Sequence, residues 1–415
     1  MADMEMEEDH PRLILHNFLT EDECKELEFI HKSCSTIGYR PNVFSTTLSH
    51  LIATNSAHLI IPFLPIRDRL KEKVEETFGC EYELVTEFTG LISWSRGASI
   101  GWHSDDNRPY LKQRDFTAVC YLNSYGKDFE GGLFHFQDGE PKTIAPMVGD
   151  AVIYTSDGRN THSVDEWMLF GKDEGKGGQA VALAPPEMVT SGERLTLTLW
   201  FSRDSSHDED AKLILLLEEN VLHKSNNVPW SLLPLPASDN MYWFSPHQAS
   251  NQDIGFDIRL GRLHALGFDV YYSREMNFGS DLSELLMEPM QLARRDQLLD
   301  HKFVNVLHSL QVAQFYFWKG CKSQAFTNEV QSGKAVRLSR SQSEKITQVN
   351  SIFLKDTKLV ETVFQSADRC YFNLATFSAA ITEWEDYSCK LHKEILLSLP
   401  QWRAHQAIYS VKFDV

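Results

Sequence analysis

The chain has 415 residues, with 58 acidic side chains against 40 Lys and Arg and a formal net charge of −18. That balance argues against a polyanion-binding surface, and so against nucleic acid as a partner, while it suits a neutral or basic polypeptide. The length points to two domains, no apolar run is long enough to span a membrane, and the seven scattered cysteines, with no CxxC, read as reduced thiols.

From the N-terminus, Met1–His10 is acidic and shows no signal-peptide pattern. Residues 11–86 read as a strand followed by helices. Thr20 is a candidate N-cap ahead of Glu21, Asp22 and Glu23, and the charges of Leu64–Phe78 are spaced for an amphipathic helix. Between 87 and 204, strand follows strand with little room for helix. Phe116–Asn123 is β-prone, Gly131-Gly132 interrupts a strand pattern over Phe129–Phe136, and Gly149-Asp150 turns into the apolar run Ala151–Tyr154. In Arg194–Trp200 the alternation places Arg194, Thr196 and Thr198 on one face of a strand and Leu195, Leu197 and Leu199 on the other. Ser205–Asp210 is a polar hinge. The patterns beyond it are mainly helical, over Ala211–His223, Asp281–Gln314, Ser343–Phe364 and Phe377–Leu399, with a Pro-rich loop at Val228–Pro246. The C-terminal Lys412–Val415 is not an ER-retention tail, and with no leader sequence the expected location is cytoplasmic or nuclear.

His103-Ser104-Asp105 carries the chemistry. Residues i and i+2 of a strand share a face, so an imidazole and a carboxylate can meet one ion there. His162, delivered by the polar loop Ser156–Thr161, is the candidate third ligand of a two-His, one-carboxylate set, which holds Fe(II) on one face and leaves the others open. Asp106 competes with Asp105 as a ligand, and strand parity favours Asp105. Arg194, on the inner face of its strand, needs an anion. His135 reads as structural, Tyr121 and Asn123 as filling or lining of a pocket, Asp150 as a turn residue and Glu130 as solvated.

These motifs carry a resemblance. Tyr121-Leu-Asn, Glu130-Gly-Gly, Lys142-Thr-Ile with Gly149, His162-Ser-Val, and Gly192-Glu-Arg-Leu with Leu199-Trp-Phe make the stretch from about Phe88 to Asp204 similar to the Fe(II)- and 2-oxoglutarate-dependent dioxygenases of the prolyl and lysyl hydroxylase group, and most of all to prolyl 3-hydroxylase catalytic domains. The resemblance implies a double-stranded β-helix (jelly-roll) core. With the N-terminal buttressing helices and the mainly helical C-terminal region read from the patterns, the expected fold is α+β, divided into a support region at 1–86, the oxygenase core at 87–204 and a region of unknown role at 205–415. The resemblance also implies iron held by His103, Asp105 and His162, and 2-oxoglutarate held at its distal carboxylate by Arg194, with Thr196 as a hydroxyl donor and Tyr121 lining the pocket. O2 would be consumed and succinate formed as a peptidyl side chain, most suitably proline, is hydroxylated, with L-ascorbate as reductant.

Two departures stand out. Relatives often carry Tyr where this chain has Trp94, nine positions before His103. His162 and Arg194 are thirty-two residues apart, where relatives place about ten. Residues 167–188 therefore read as an insertion: a passive loop, a lid over the site, or a stretch translated from a retained piece of intron. The insertion and Trp94 sustain an alternative reading, an inactive oxygenase-like module that binds partners through its helical half.

Overall fold

The computed structural model describes residues 9–37, 43–48, 51, 56–79, 84–164, 189–223, 315, 340 and 374–405. In chain order they form β1 (Arg12–Leu15), α1 (Glu21–Cys34), β2 (Thr36–Ile37), β3 (Val43–Thr46), a 3-10 helix (Ala57–Phe63), α2 (Leu64–Phe78), β4 (Val85–Ser95), β5 (Ile100–His103) and β6 (Phe116–Tyr121). There follow β7 (Phe129–Glu130), β8 (Phe134–Phe136), β9 (Thr143–Ile144), β10 (Ala151–Thr155), β11 (His162–Val164), β12 (Ser191–Ser202), α3 (Glu209–His223) and α4 (Leu374–His405). The chain divides into two compact units, one of Met1–Cys24, Gly38–Val43 and Asp68–Asp208, the other of Lys25–Ile37, Phe44–Arg67 and Glu209–Val415.

In the first unit two antiparallel sheets supply the jelly-roll core. One runs in the order β1, β10, β6, β12, β4, with β7 pairing the start of β12; the other runs β5, β11, β8, β9. Their inner faces share one apolar cluster, with Ile92, Trp94, Val119, Tyr121, Val152 and Tyr154 from the first sheet meeting Ile100, Phe134, Phe136, Ile144 and Val164 from the second. β12 lies between β4 and β6, and its alternation takes the expected form with both faces buried: Arg194, Thr196 and Thr198 on one, Leu195, Leu197 and Leu199 on the other. Each of these leucines contributes roughly 2–3 kcal/mol by leaving water. Gly192 opens this strand at φ +71, and a Cβ there would lie 2.2 Å from the Asp128 carbonyl, so β7 can approach β12 only over glycine. Asp150 accepts from the Asn17 amide at 3.0 Å and pairs with His16 at 2.8 Å, fixing the exit of β1, in keeping with its reading as a turn residue.

The helix starts follow capping chemistry. The Thr20 hydroxyl accepts from the Glu23 amide at 3.2 Å while the Glu23 carboxylate accepts from the Thr20 amide at 2.8 Å, so the expected N-cap is a reciprocal capping box. α2 has the expected bounds. α3 starts two residues before the expected Ala211, after a 3-10 turn at Ser205–His207, and the helix expected over Phe377–Leu399 extends to Leu374–His405. In the second unit β2 pairs β3 as a short antiparallel ladder, Thr36 opposite Ser45 and Ile37 opposite Phe44. Phe29, Phe315 and Trp384 pack ring against ring at 5.4–5.7 Å, and buried Arg67 pairs with buried Asp210. The β2–β3 pair and the 3-10 helix were not among the expected elements. The segments expected as helix over 281–314 and 343–364, the loop at 228–246 and the insertion at 167–188 lie outside the described residues. Among the described residues no helix is long and apolar enough to cross a membrane.

Candidate metal centre and anion pocket

Strand parity does not bring His103 and Asp105 together. β5 ends at His103 and Asp105 lies in the turn after it, so the expectation of one continuous strand is corrected. Within β5, His103 pairs with His162 but Ile100 pairs with Val164, so two residues, Gly101 and Trp102, oppose Ser163 alone. This β-bulge lets Ile100 and His103 both face inward although they are three apart. Asp105 is drawn back to the site by its own hydrogen bonds: Thr117 donates to Oδ2 at 2.6 Å and Tyr154 at 3.1 Å. Thr117 and Tyr154 are cross-strand partners on β6 and β10, so one rung of the ladder orients the carboxylate. Asp106 is turned elsewhere, accepting from Ser104 at 2.8 Å and from Lys112 at 2.6 Å.

Oδ1 of Asp105 then lies 3.7 Å from His103 Nε2 and 3.8 Å from His162 Nε2. Each imidazole points its other nitrogen at a main-chain carbonyl, His103 Nδ1 at Gly101 (2.8 Å) and His162 Nδ1 at Asn160 (2.9 Å). A carbonyl only accepts, so both Nδ1 atoms carry the proton and both Nε2 atoms present a lone pair. The three residues offer ligand atoms all within 4.8 Å of one another, and no other group of three or more His, Cys, Asp or Glu among the described residues does so. Burial holds His162 neutral, lowering its pKa to about 4 against the pull of Asp105. Burial alone would raise the Asp105 carboxyl, but the two imidazoles and the Thr117 hydroxyl outweigh it and hold it below the usual carboxylate range. Phe134 stacks on His162 at 4.9 Å and 16°, fixing the ring plane. This is a donor set suited to a divalent ion of borderline softness with open positions.

On β12 the Arg194 guanidinium, 2 % exposed, lies 5.5 Å from the Tyr121 ring and 5.9 Å from the Trp94 ring. No carboxylate pairs with it among the described residues, and neither its Nε nor the Tyr121 hydroxyl has a well-formed hydrogen-bond partner. Burial lowers the guanidinium's pKa from its ordinary value. Burial also pushes the Tyr121 phenol up to about 12, although the adjacent Arg194 favours its ionisation. A buried cation beside a phenol, with no carboxylate partner among the described residues, fits the carboxylate of a small acid. Thr196 shares Arg194's face, and its hydroxyl lies 3.4 Å from the Ile92 carbonyl. Trp94 stands in this pocket as a ring wall. Asn123 bridges Glu193 O and Leu195 N at 2.6 and 2.9 Å, and His135 bonds Thr143, both holding structure. Sequence reasoning missed Thr117 and Tyr154; a phenol inside the otherwise apolar run Ala151–Thr155 was the available signal.

Residues 89–202 match the sequence profile of the 2OG-Fe(II) oxygenase superfamily. The chain is similar to prolyl 3-hydroxylase 1 of Gallus gallus, 25% identical over 242 residues, covering 48% of this chain and 30% of that protein. It is also similar to the 2-oxoglutarate and iron-dependent oxygenase domain-containing protein 3 of Rattus norvegicus, 30% identical over 114 residues, covering 26% of this chain and 36% of that protein. The match thus spans about a third of the length of these curated relatives. Among solved structures, a prolyl-4-hydroxylase from Pseudomonas putida aligns with a TM-score of 0.35 and 19% identity over 47% of this chain and 94% of that one.

Proposed function

With residues 89–202 forming a 2OG-Fe(II) oxygenase domain, we propose that the chain is a dioxygenase that hydroxylates a peptidyl side chain, with proline as the residue acted on. The observation that carries this reading is the His103, Asp105 and His162 donor set in the same core as a buried Arg194 with no carboxylate partner among the described residues. His103, Asp105 and His162 would hold Fe(II); Arg194, with Tyr121 and Thr196 beside it, would hold the distal carboxylate of 2-oxoglutarate. When bound, these two groups supply the oxidising chemistry, O2 being consumed and 2-oxoglutarate decarboxylated to succinate. L-ascorbate is the proposed reductant for turnovers that fail to reach substrate.

The chain's own contribution is placement. Thr117 and Tyr154 engage Oδ2 of Asp105 and leave Oδ1 for the metal. The Gly101 and Asn160 carbonyls fix the imidazole tautomers, and Phe134, Phe136 and Tyr154 wall off water around His162. A polypeptide as substrate is supported by the similarity to proteins named prolyl 3-hydroxylases. In this reading residues 87–204 carry the chemistry and 1–86 support it, while 205–415 are given no role in the reaction. A three-ligand donor set near a buried guanidinium with no carboxylate partner among the described residues speaks against the inactive module.

The test is anaerobic addition of Fe(II) and 2-oxoglutarate to the full chain. A weak visible charge-transfer band is expected, lost in His103→Ala and Asp105→Ala. Arg194→Lys should keep the metal while binding 2-oxoglutarate at least tenfold more weakly, since an ammonium cannot reproduce the bidentate fork. Succinate formation with a proline-containing peptide library then identifies substrate. A folded, metal-loaded chain with no band would sink the proposal.

A further inference from the structure

Exposure at the site is graded. The side chain of His162 is 4 % exposed, that of Asp105 10 % and that of His103 16 %, so the centre opens on the His103 side. The residues next to that opening are the two at the bulge. Gly101 is exposed, and Trp102, at 41 % exposed, is one of the few large apolar side chains of the described residues that face solvent. Among the described residues β5 is also an edge strand of its sheet, with β11 on one side only.

Gly101 is not explained by the fold. Its φ lies outside the positive range that favours glycine, and among the described residues nothing lies within 4 Å of where its Cβ would sit. Any residue could stand there, and glycine in a strand costs stability relative to one with a side chain. A glycine that neither backbone nor packing requires, at the open side of a catalytic centre, is what close approach of another backbone demands.

We propose that Gly101 and Trp102 form the ledge on which the substrate lies: an extended polypeptide segment whose main chain crosses Gly101, with an apolar or pyrrolidine side chain resting on the Trp102 indole. The proposal builds on the reading of the chain as a peptidyl hydroxylase. The bulge would then have two roles, aiming His103 inward at the metal and turning Gly101 and Trp102 outward to the peptide.

The experiment uses the full chain loaded with Mn(II) and 2-oxoglutarate, which binds without turnover. The probe is an immobilised library of nine-residue peptides with a central proline, and the peptides retained by the unaltered protein are titrated against variants by fluorescence polarisation. Trp102→Ala and Gly101→Val should each weaken peptide binding at least tenfold, with Gly101→Ala between. Mn(II) and 2-oxoglutarate affinities in Trp102→Ala should stay within twofold, and Gly101→Val retains the carbonyl that His103 uses. Peptides held equally by all variants would overturn the ledge while leaving the hydroxylase reading intact. No peptide held by a protein that does bind Mn(II) and 2-oxoglutarate would overturn the polypeptide reading, and the ledge with it. Since Trp102 and the backbone at Gly101 are exposed, melting curves should stay close to that of the unaltered chain; Trp102→Ala alone decides the matter if Gly101→Val does not fold.

Discussion

Tyr154 has one proton to give and two acceptors in reach, Asp105 Oδ2 at 3.1 Å and His162 Nε2 at 3.3 Å. Burial, then the Asp105 charge, pushes its phenol well above the ordinary value, so it stays a donor. With a metal on Nε2 the proton belongs to Asp105, and Tyr154→Phe should therefore weaken Mn(II) affinity by roughly 10–100-fold, as loss of an outer partner of a ligand does. Calorimetric titration of both proteins measures this, and equal affinities would show that Thr117 alone orients the carboxylate. The grouping of His103, Asp105 and His162 and the inward position of Arg194 were legible in the sequence from their order and residue types. Thr117 and Tyr154 were not, because they act as a pair only once β6 and β10 are in register. A second prediction concerns His58, buried and 6.0 Å from His392 in ring-centroid distance. Burial and then His392 lower its pKa from 6.5 to about 3. The unfolded chain therefore binds a proton that the folded chain refuses, so stability is full above pH 6.5 and is lost as pH falls toward 3. The slope is about 1.4 kcal/mol per pH unit for that one proton. His58→Gln should remove one proton from the pH dependence of urea unfolding between pH 6 and 4; an unaltered slope would mean that His58 titrates normally.

At the scale of elements, long amphipathic helices and cleanly alternating strands were readable and small irregularities were not. Leu64–Phe78 and the alternation of β12 follow from periodicity, whereas β2 is two residues long and the β5 bulge is a matter of register between strands about sixty residues apart. The insertion expected at 167–188 can be judged by the described residues on either side of it. Val164 pairs with Ile100, while the Val189 amide donates to Ala98 O at 3.3 Å and the Val189 carbonyl accepts from Gly97 N at 2.9 Å. Both ends are thus anchored on one short stretch, two residues or roughly 7 Å apart along it. Asp165 and Glu166 suffice to join them. Deleting 167–188 should leave the melting temperature and Mn(II) affinity unchanged or slightly higher, since closing a shorter loop costs less entropy. A deletion variant that melts at least 5 °C lower would show that the stretch contributes packing of its own.

The molecule as a whole is not cut where the oxygenase profile ends. That profile stops at residue 202, which invites truncation after Asp208, yet the second unit combines Lys25–Ile37 and Phe44–Arg67 with everything from Glu209 onward. Inside that unit, Phe29 packs on Phe315 and Trp384, Tyr387 donates to Glu26 at 2.6 Å, and Arg67 pairs with Asp210. Ending the chain at Asp208 would strip Phe29 of its ring partners and Glu26 of its hydroxyl donor, and remove the carboxylate beside a guanidinium only 2 % exposed. Losing a carboxylate partner of a buried charge costs up to roughly 3–5 kcal/mol, and uncovering Phe29 adds up to about 2 kcal/mol, together comparable to the whole stability of a domain. The truncated chain should therefore be insoluble or melt without cooperativity, although every residue of the candidate metal centre and of the Arg194 pocket remains in it. Sequence periodicity could not have shown this, because a helical run some 300 residues downstream gives no sign of which N-terminal residues it covers. Expression of residues 1–208 beside the full chain, compared by light scattering and thermal unfolding, is the measurement. A soluble monomer with a sharp transition and intact Mn(II) binding would show that the oxygenase domain folds alone and that the helical region is an appendage.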